Sequence, residues 1–343
     1  MATVRDVAEA AKVSVSTVSL AFNQPSRVAE ATRLRILAVA GELQYRPHGI
    51  ARDLRIRHTN TIAVLLHNLS GPFYSELIRG VEDEADRSGL TTIVSRATPN
   101  RPGGTIRLLH EGRVDGAIVL DPLISADSLR QYAGPRLPIV VLDRTISVAS
   151  DYVIPVVADH EGGGYQAGRF LITLGYQHYA LITGPADSTD SQLRQKGFFR
   201  ALREANLQWQ QVPVISGLFT EDGGAEATAR LLDTGYRPDA IFAANDEMAI
   251  GAMQTLARYG LAVPDEVALI GFDDIRLARY VSPPLTTIHQ PMYDLGRAAM
   301  QRLSDTMQGK LGLPPVVLST HLVIRGSTAA SPTKAGEVPY AGS

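Results

Sequence analysis

From Thr61 onward the chain alternates short, almost continuously apolar runs with longer amphipathic stretches, and that alternation excludes most folds. TIAVLLH at 61–67 precedes a helical pattern near 74–88, and TTIVSRA at 91–97 precedes one near 104–112. GAIVL at 116–120, PIVVLD at 138–143, YALIT at 179–183, AIFAAN at 240–245 and VALIGFDD at 267–274 continue the pattern. Strands that are apolar on both faces belong to parallel sheets covered on both sides by helices. About 270 residues of such sequence exceed what one doubly wound sheet uses. Two α/β lobes are therefore expected, sharing a crevice at the carboxyl ends of their strands, where ligands bind in this architecture.

The first sixty residues have a different texture. Val4, Val7, Ala8 and Ala11 recur on one helical face, with Thr3 and Asp6 spaced as a capping box. After a break at Lys12-Val13, Ser14 can cap a second helix from about Val15 to Phe22, and Asn23-Gln24-Pro25-Ser26 reads as a loop. A third helix is predicted over Glu30–Leu43 with Leu34, Leu37 and Ala38 facing inward, and Tyr45-Arg46-Pro47 stops it. Helix, tight turn, helix and supporting helix form the helix-turn-helix pattern, although a generic three-helix bundle shares the spacing. Charge adds a second observation, which alone does not separate the readings. Residues 1–60 hold nine Lys/Arg against five Asp/Glu, whereas the remainder holds 24 against 30. A basic head on an acidic body points to a polyanionic partner.

Composition removes other classes. There is no cysteine, so disulfides and thiolate metal sites are excluded. No apolar run reaches the length of a membrane span, and MATVRDVAEA lacks a signal-peptide core, so a cytoplasmic protein is expected. Gly162-Gly163-Gly164 lacks the Lys-Ser/Thr of a phosphate loop, and no histidine pair has metal spacing. No enzyme activity, cofactor or metal is expected.

The head motifs TVRDVAEAAKVSVSTVSLAFN, RVAEATRLRILAVAGELQYRP and HGIARDLR resemble those of the LacI family of bacterial repressors. The resemblance continues through GPFYSELIRGVEDEA, VDGAIVL, VVLDR, HEGGGYQAGRFLITLGY, RQKGF, AANDEMAIGAMQTL, VALIGFDDI and SPPLTTIHQP, to about residue 326. It implies a helix-turn-helix domain at 1–47, a hinge helix and linker at 48–60, and a two-lobed core like the periplasmic sugar-binding proteins at 61–328. The Ala-, Pro-, Gly- and Ser-rich tail at 329–343 is expected to be disordered. It lacks the leucine heptad that makes some members tetramers, so a homodimer on palindromic double-stranded operator DNA is implied.

The resemblance also places residues. Val15, Ser16, Thr17 and Leu20 would meet base edges, and Arg27 and Arg33 would meet phosphates. Leu54 would wedge into a minor-groove step, flanked by Arg52 and Arg55 near the backbone. Lys12, Leu20, Ala29 and Asp53 depart from the residues usual in the family. In the core, Phe73, Tyr74, Arg194, Phe219, Asn245, Asp246 and Asp273 would line the crevice, with Asp159 weaker, at the crossing between lobes. Carboxylate and guanidinium groups with flat aromatics suit a sugar. Each has a plainer reading: Phe73 and Phe219 as core, Asn245 and Asp246 as helix caps, Asp273 with Arg194 as an ion pair. A purine corepressor is the alternative effector. Ser188, standing where a purine-responsive member has arginine, argues against it. A transport receptor is the alternative from another class, opposed by the basic head.

The hinge reading has a direct test. Leu54→Ala is expected to weaken binding to operator far more than to random DNA, because the electrostatic contribution of the basic residues remains. Gel shifts on both DNAs check it; equal losses would remove Leu54 from the minor groove.

Overall fold

A computed structural model describes residues 2–45, 58–96, 103–144 and 150–329. The expected hinge, with Arg52, Leu54 and Arg55, lies outside the described residues, as does the tail from residue 330. The chain divides into two units, Met1–Thr59 and Asn60–Ser343.

The head's helices start where the sequence says they should. In α1 (Val4–Ala10) the Thr3 side chain accepts the Asp6 N–H, and the Asp6 carboxylate accepts the Thr3 N–H at 2.7 Å. Ser14 caps α2 (Val15–Asn23) by accepting the Thr17 N–H at 3.1 Å. Between them Lys12 adopts φ +51°, a left-handed conformation that costs a non-glycine residue about 1–2 kcal/mol. The third helix, α3 (Glu30–Glu42), begins at Ala29 with no side-chain cap. Its inner face differs from the sequence expectation. Ile36 and Ala40 are buried with Val7, Val18 and Ala21, whereas Leu34 is 57% exposed and Ala38 is also exposed. Residues 34–40 are apolar on nearly every side apart from Arg35, so periodicity does not select a face. The small Ala40 beside Ile36 allows the closer approach to α1 and α2.

The larger unit contains two six-stranded sheets. The first has the order β2-β1-β3-β4-β5-β11 and is parallel throughout. Its strands are β1 (Thr61–Leu66), β2 (Thr91–Arg96), β3 (Gly116–Leu120), β4 (Ile139–Leu142), β5 (Val153–Ala158) and β11 (Val316–Leu318). The second has the order β7-β6-β8-β9-β10-β12: β6 (Tyr179–Thr183), β7 (Val214–Ser216), β8 (Ala240–Ala243), β9 (Ala268–Asp273), β10 (Thr286–His289) and β12 (His321–Val323). Only its edge pair, β10 with β12, is antiparallel. The inner strands β1 and β9 are buried almost end to end, which is why they read as unbroken apolar runs.

The chain passes between lobes three times. After β5, Asp159 caps α7 (His160–Thr173), which packs on the second lobe with α8 (Thr189–Glu204). After β10, Gln290-Pro291 leads back to α11 (Met292–Met307), which packs with α4 (Pro72–Arg87) on the first lobe. The third passage joins β11 to β12. The first and third are bonded together: the Asp159 N–H donates to Leu318 O at 2.8 Å, and the Thr320 hydroxyl donates to Asp159 O at 3.0 Å.

Helices meet helices through paired glycines. A Cβ on Gly164 of α7 would sit 2.0 Å from the Arg194 carbonyl oxygen, and one on Gly197 of α8 would sit 1.9 Å from that of Glu161. The pair Gly80 and Gly296 does the same for α4 and α11. Gly224 and Gly251 do so for α9 (Glu221–Asp233) and α10 (Asp246–Arg258). The Gly162–Gly164 run thus serves capping and close packing: the Asp159 side chain accepts the Gly162 N–H at 2.8 Å, and Gly163 lies against the Phe272 ring. No helix among the described residues is long and apolar enough to cross a membrane.

Gly164→Ala must therefore push α7 from α8. Overpacking of this kind costs about 1–3 kcal/mol, so chemical denaturation is expected to show a loss in that range. Gly41→Ala, in α3 with nothing within 4 Å, is expected to stabilise its helix instead. Equal effects would show that the seam is not tight.

Candidate functional site

In the head, the first turn of α2 presents its side chains outward. Val15 is 43% exposed, Ser16 is exposed, and Thr17 and Leu20 are half-buried. The Ser14 hydroxyl lies 2.8 Å from that of Ser16 and 2.7 Å from that of Thr17, so the hydroxyls form a local cluster at the helix start. Val18 is fully buried and serves packing. Arg27 is exposed and donates to Gln24 at 3.1 Å, whereas Arg33 is half-buried with an unpartnered Nε.

In the larger unit the polar groups gather around Arg194, which is 3% exposed. Its Nε donates to His160 Nδ1 at 3.3 Å, its Nη2 to Gln290 Oε1 at 2.9 Å, and its Nη1 to the Ala244 carbonyl. The guanidinium carbon lies 3.8 Å from the centre of the Phe272 ring and 5.8 Å from that of Phe219. On the far side of His160, Nε2 lies 3.1 Å from Asp143 Oδ1, at the end of β4 in the first lobe. Gln290 also reaches Asp143, at 3.4 Å. Polar groups from both lobes and two of the passages thus meet at one buried cation.

Asp273 ends β9 beside it. Arg194 Nη1 lies 3.3 Å from Asp273 Oδ1, but that oxygen makes no hydrogen bond. Burial pushes the Asp273 carboxyl up to about 7, against the pull of Arg194. Its φ of +110° is a backbone conformation that L residues rarely adopt. The next residue has the opposite fate. Burial opposes the charge of Asp274, yet His289 and Arg325 hold it below the ordinary carboxylate range.

The other expected residues divide. Tyr74 and Phe73 are half-buried with their rings edge-on at 5.2 Å, and Tyr74 Oη lies 3.2 Å from His67 Nδ1. Burial, then the charges of Asp190, Asp273, Glu247 and Asp121, raise the Tyr74 phenol above its ordinary value, so Tyr74 shares the field of Asp273. Phe219, at φ +62°, packs against Gly184. Asn245 is the N-cap of α10: its Oδ1 accepts the Met248 N–H at 2.9 Å and its Nδ2 donates to Phe219 O at 3.2 Å. One hydrogen and one lone pair of the amide remain for a ligand. Asp246 is a correction. It is fully buried, with the Ile275 N–H donating to one oxygen at 2.8 Å and the Thr287 hydroxyl to the other at 2.5 Å. It ties α10 to the loop after β9 and does not reach a ligand. Asp159 caps α7.

Sequence reasoning missed His160, Gln290, Asp143 and Asp190. Only Asp190 carried a local signal, four residues before Arg194 on α8; its Oδ2 lies 3.9 Å from Arg194 Nη2.

The comparisons with known proteins follow this division. Residues 3–48 match the model for bacterial regulatory proteins of the lacI family, and residues 169–328 match a periplasmic binding protein-like domain. The HTH-type transcriptional repressor PurR of Escherichia coli O1:K1 is 35% identical over 340 residues, covering 97% of this chain and 98% of its own. The chain belongs to the LacI family. Among solved structures, the lac repressor dimer bound to operator and the anti-inducer ONPF is 30% identical with a TM-score of 0.83, covering 96% of this chain and 99% of that one. The transcriptional regulator CelR in complex with cellobiose is 32% identical with a TM-score of 0.71, covering 95% and 100%. A LacI-family regulator from Enterococcus faecium with bound ribose is 31% identical with a TM-score of 0.70, covering 79% and 99%.

The raised Asp273 carboxyl gives this LacI-family crevice a pH signature. Arg194 and Asp190 on α8, His160 on α7 and Glu247 on α10 contribute to its field. A ligand hydroxyl donating to Asp273 would stabilise the charged form, and such binding would release a proton near neutrality. Effector affinity is expected to rise about tenfold between pH 6 and pH 8, and Asp273→Asn is expected to flatten that dependence. Calorimetry in buffers of different ionisation enthalpy measures the proton; a pH-independent affinity in the unaltered chain would contradict it.

Proposed function

We propose that this LacI-family chain is a DNA-binding transcriptional repressor, acting as a homodimer, whose hold on palindromic operator DNA is set by a small hydroxylated effector, a sugar, in the crevice of the larger unit. The observation that carries the effector reading is the buried, unsatisfied oxygen of Asp273 beside Arg194. A buried acceptor without a donor is costly, and a ligand hydroxyl supplies the donor. The half-buried rings of Phe73, Tyr74 and Phe219 offer apolar faces to a sugar ring. The relatives solved with cellobiose and ribose support the same class. The lac repressor dimer on operator supports the assembly.

A purine corepressor is the second reading, favoured by the near full-length similarity to PurR. The site responds to either ligand through the same physics. A molecule that prefers one arrangement of the lobes shifts the population toward it and so alters operator affinity. A transport receptor is disfavoured by the lacI-type head at residues 3–48.

Asp273→Ala separates the two halves of this reading. Truncating one member of a buried polar set costs roughly 1–3 kcal/mol, so effector affinity is expected to fall by about fivefold to a hundredfold. Operator binding without effector is expected to persist, which also reports that the variant folds. Calorimetry and parallel gel shifts measure both. Unchanged effector affinity would remove Asp273 from the site, and a purine as the tightest ligand would replace the sugar.

A further inference from the structure

Arginine has five N–H donors. In Arg194, three are spent on His160, Ala244 and Gln290. The two that remain lie on the sides of Asp273 Oδ1, 3.3 Å away, and Asp190 Oδ2, 3.9 Å away. The ring of Phe272 covers one face of the guanidinium. An incoming anion therefore finds the two unspent donors of this cation facing two carboxylates.

The surroundings add acid. Glu247, in the first turn of α10, reaches the first lobe, with its carboxylate 3.2 Å from the position a Cβ would take on Gly71. Tyr74, on the first lobe, feels Asp190, Asp273, Glu247 and Asp121 together. Arg144 also has donors to spare: its Nε and Nη2 are buried and unengaged. It stands in the field of Asp121, which has its own unengaged Oδ2, so this pair cancels in charge while offering both a donor and an acceptor.

We propose that the crevice selects an uncharged, hydroxyl-rich ring and rejects the phosphorylated form of the same ring. The inference rests on the reading of the crevice as the effector site. Hydroxyls bring donors to Asp273 Oδ1, a buried oxygen that has none. A phosphate brings only negative charge and acceptors, into a buried setting where like charges repel strongly. The buried arginine, which in a sequence looks like an anion grip, is here neutralised by the protein itself.

Matched pairs test this on the full chain by calorimetry at one pH: ribose and ribose 5-phosphate, glucose and glucose 6-phosphate, guanosine and guanosine monophosphate. The neutral member of the pair that binds is expected to do so at least about a hundredfold more tightly than its phosphorylated partner. That difference corresponds to about 2.7 kcal/mol. Asp190→Asn, checked for folding by circular dichroism and operator binding, is expected to narrow the gap by strengthening the phosphorylated member about tenfold. A phosphorylated member that binds as tightly as its neutral partner, or more tightly, overturns the selectivity and leaves the effector site standing. Loss of such binding in Arg144→Gln would then place the anion at Arg144. If no member of any pair binds, neutral or phosphorylated, the effector reading falls with it.

Discussion

A guanidinium cannot be taken out of water unless its charge and its donors are answered, and the larger unit is assembled around one such answer. Arg194 draws together a histidine from the start of α7, a carbonyl from the end of β8, a carboxylate from the end of β9 and a glutamine from the second passage between lobes. Two of these, His160 and Gln290, also approach Asp143 in the first lobe. The same cation therefore lies where two of the passages between lobes meet.

That arrangement requires α7 and α8 to touch, because His160 and Arg194 must come within bonding distance from two different helices. The reciprocal contacts of Gly164 and Gly197 provide this. A run of three glycines that superficially suggests a phosphate loop is a packing device. Its position at the head of α7 follows from the need to seat His160 against the guanidinium.

The architecture is legible in the sequence where local pattern suffices. Strands such as GAIVL and YALIT fall on their observed residues, because inner strands of parallel sheets must be apolar on both faces. Thr3 and Ser14 mark true helix starts, because a capping hydroxyl has a fixed offset. Local pattern fails at α3, where apolar residues on nearly every side leave the buried face to tertiary packing. It also fails to divide roles at strand ends. Asn245, Asp246, Asp273 and Asp274 all stand where a ligand residue or a structural one would be expected. Only the fold shows Asp246 closed off by Thr287 and Ile275 while Asp273 is left open. His160, Gln290 and Asp143 are far apart along the chain, and the passages between lobes bring them together; no local spacing announces them.

The glycine seams have a mechanical consequence. At the glycine contacts themselves, no side chain stands between the two backbones to change rotamer and let one helix slide past the other. Each helix pair is then a stiff plank, and the compliance of the larger unit collects in the three strips of chain that pass between the lobes. Side chains at the strand ends lie outside the planks and can be exchanged without loosening them. Arg194 apart, whose carbonyl meets Gly164, the stiffness of the lobes and the chemistry of the strand ends are thus carried by different residues.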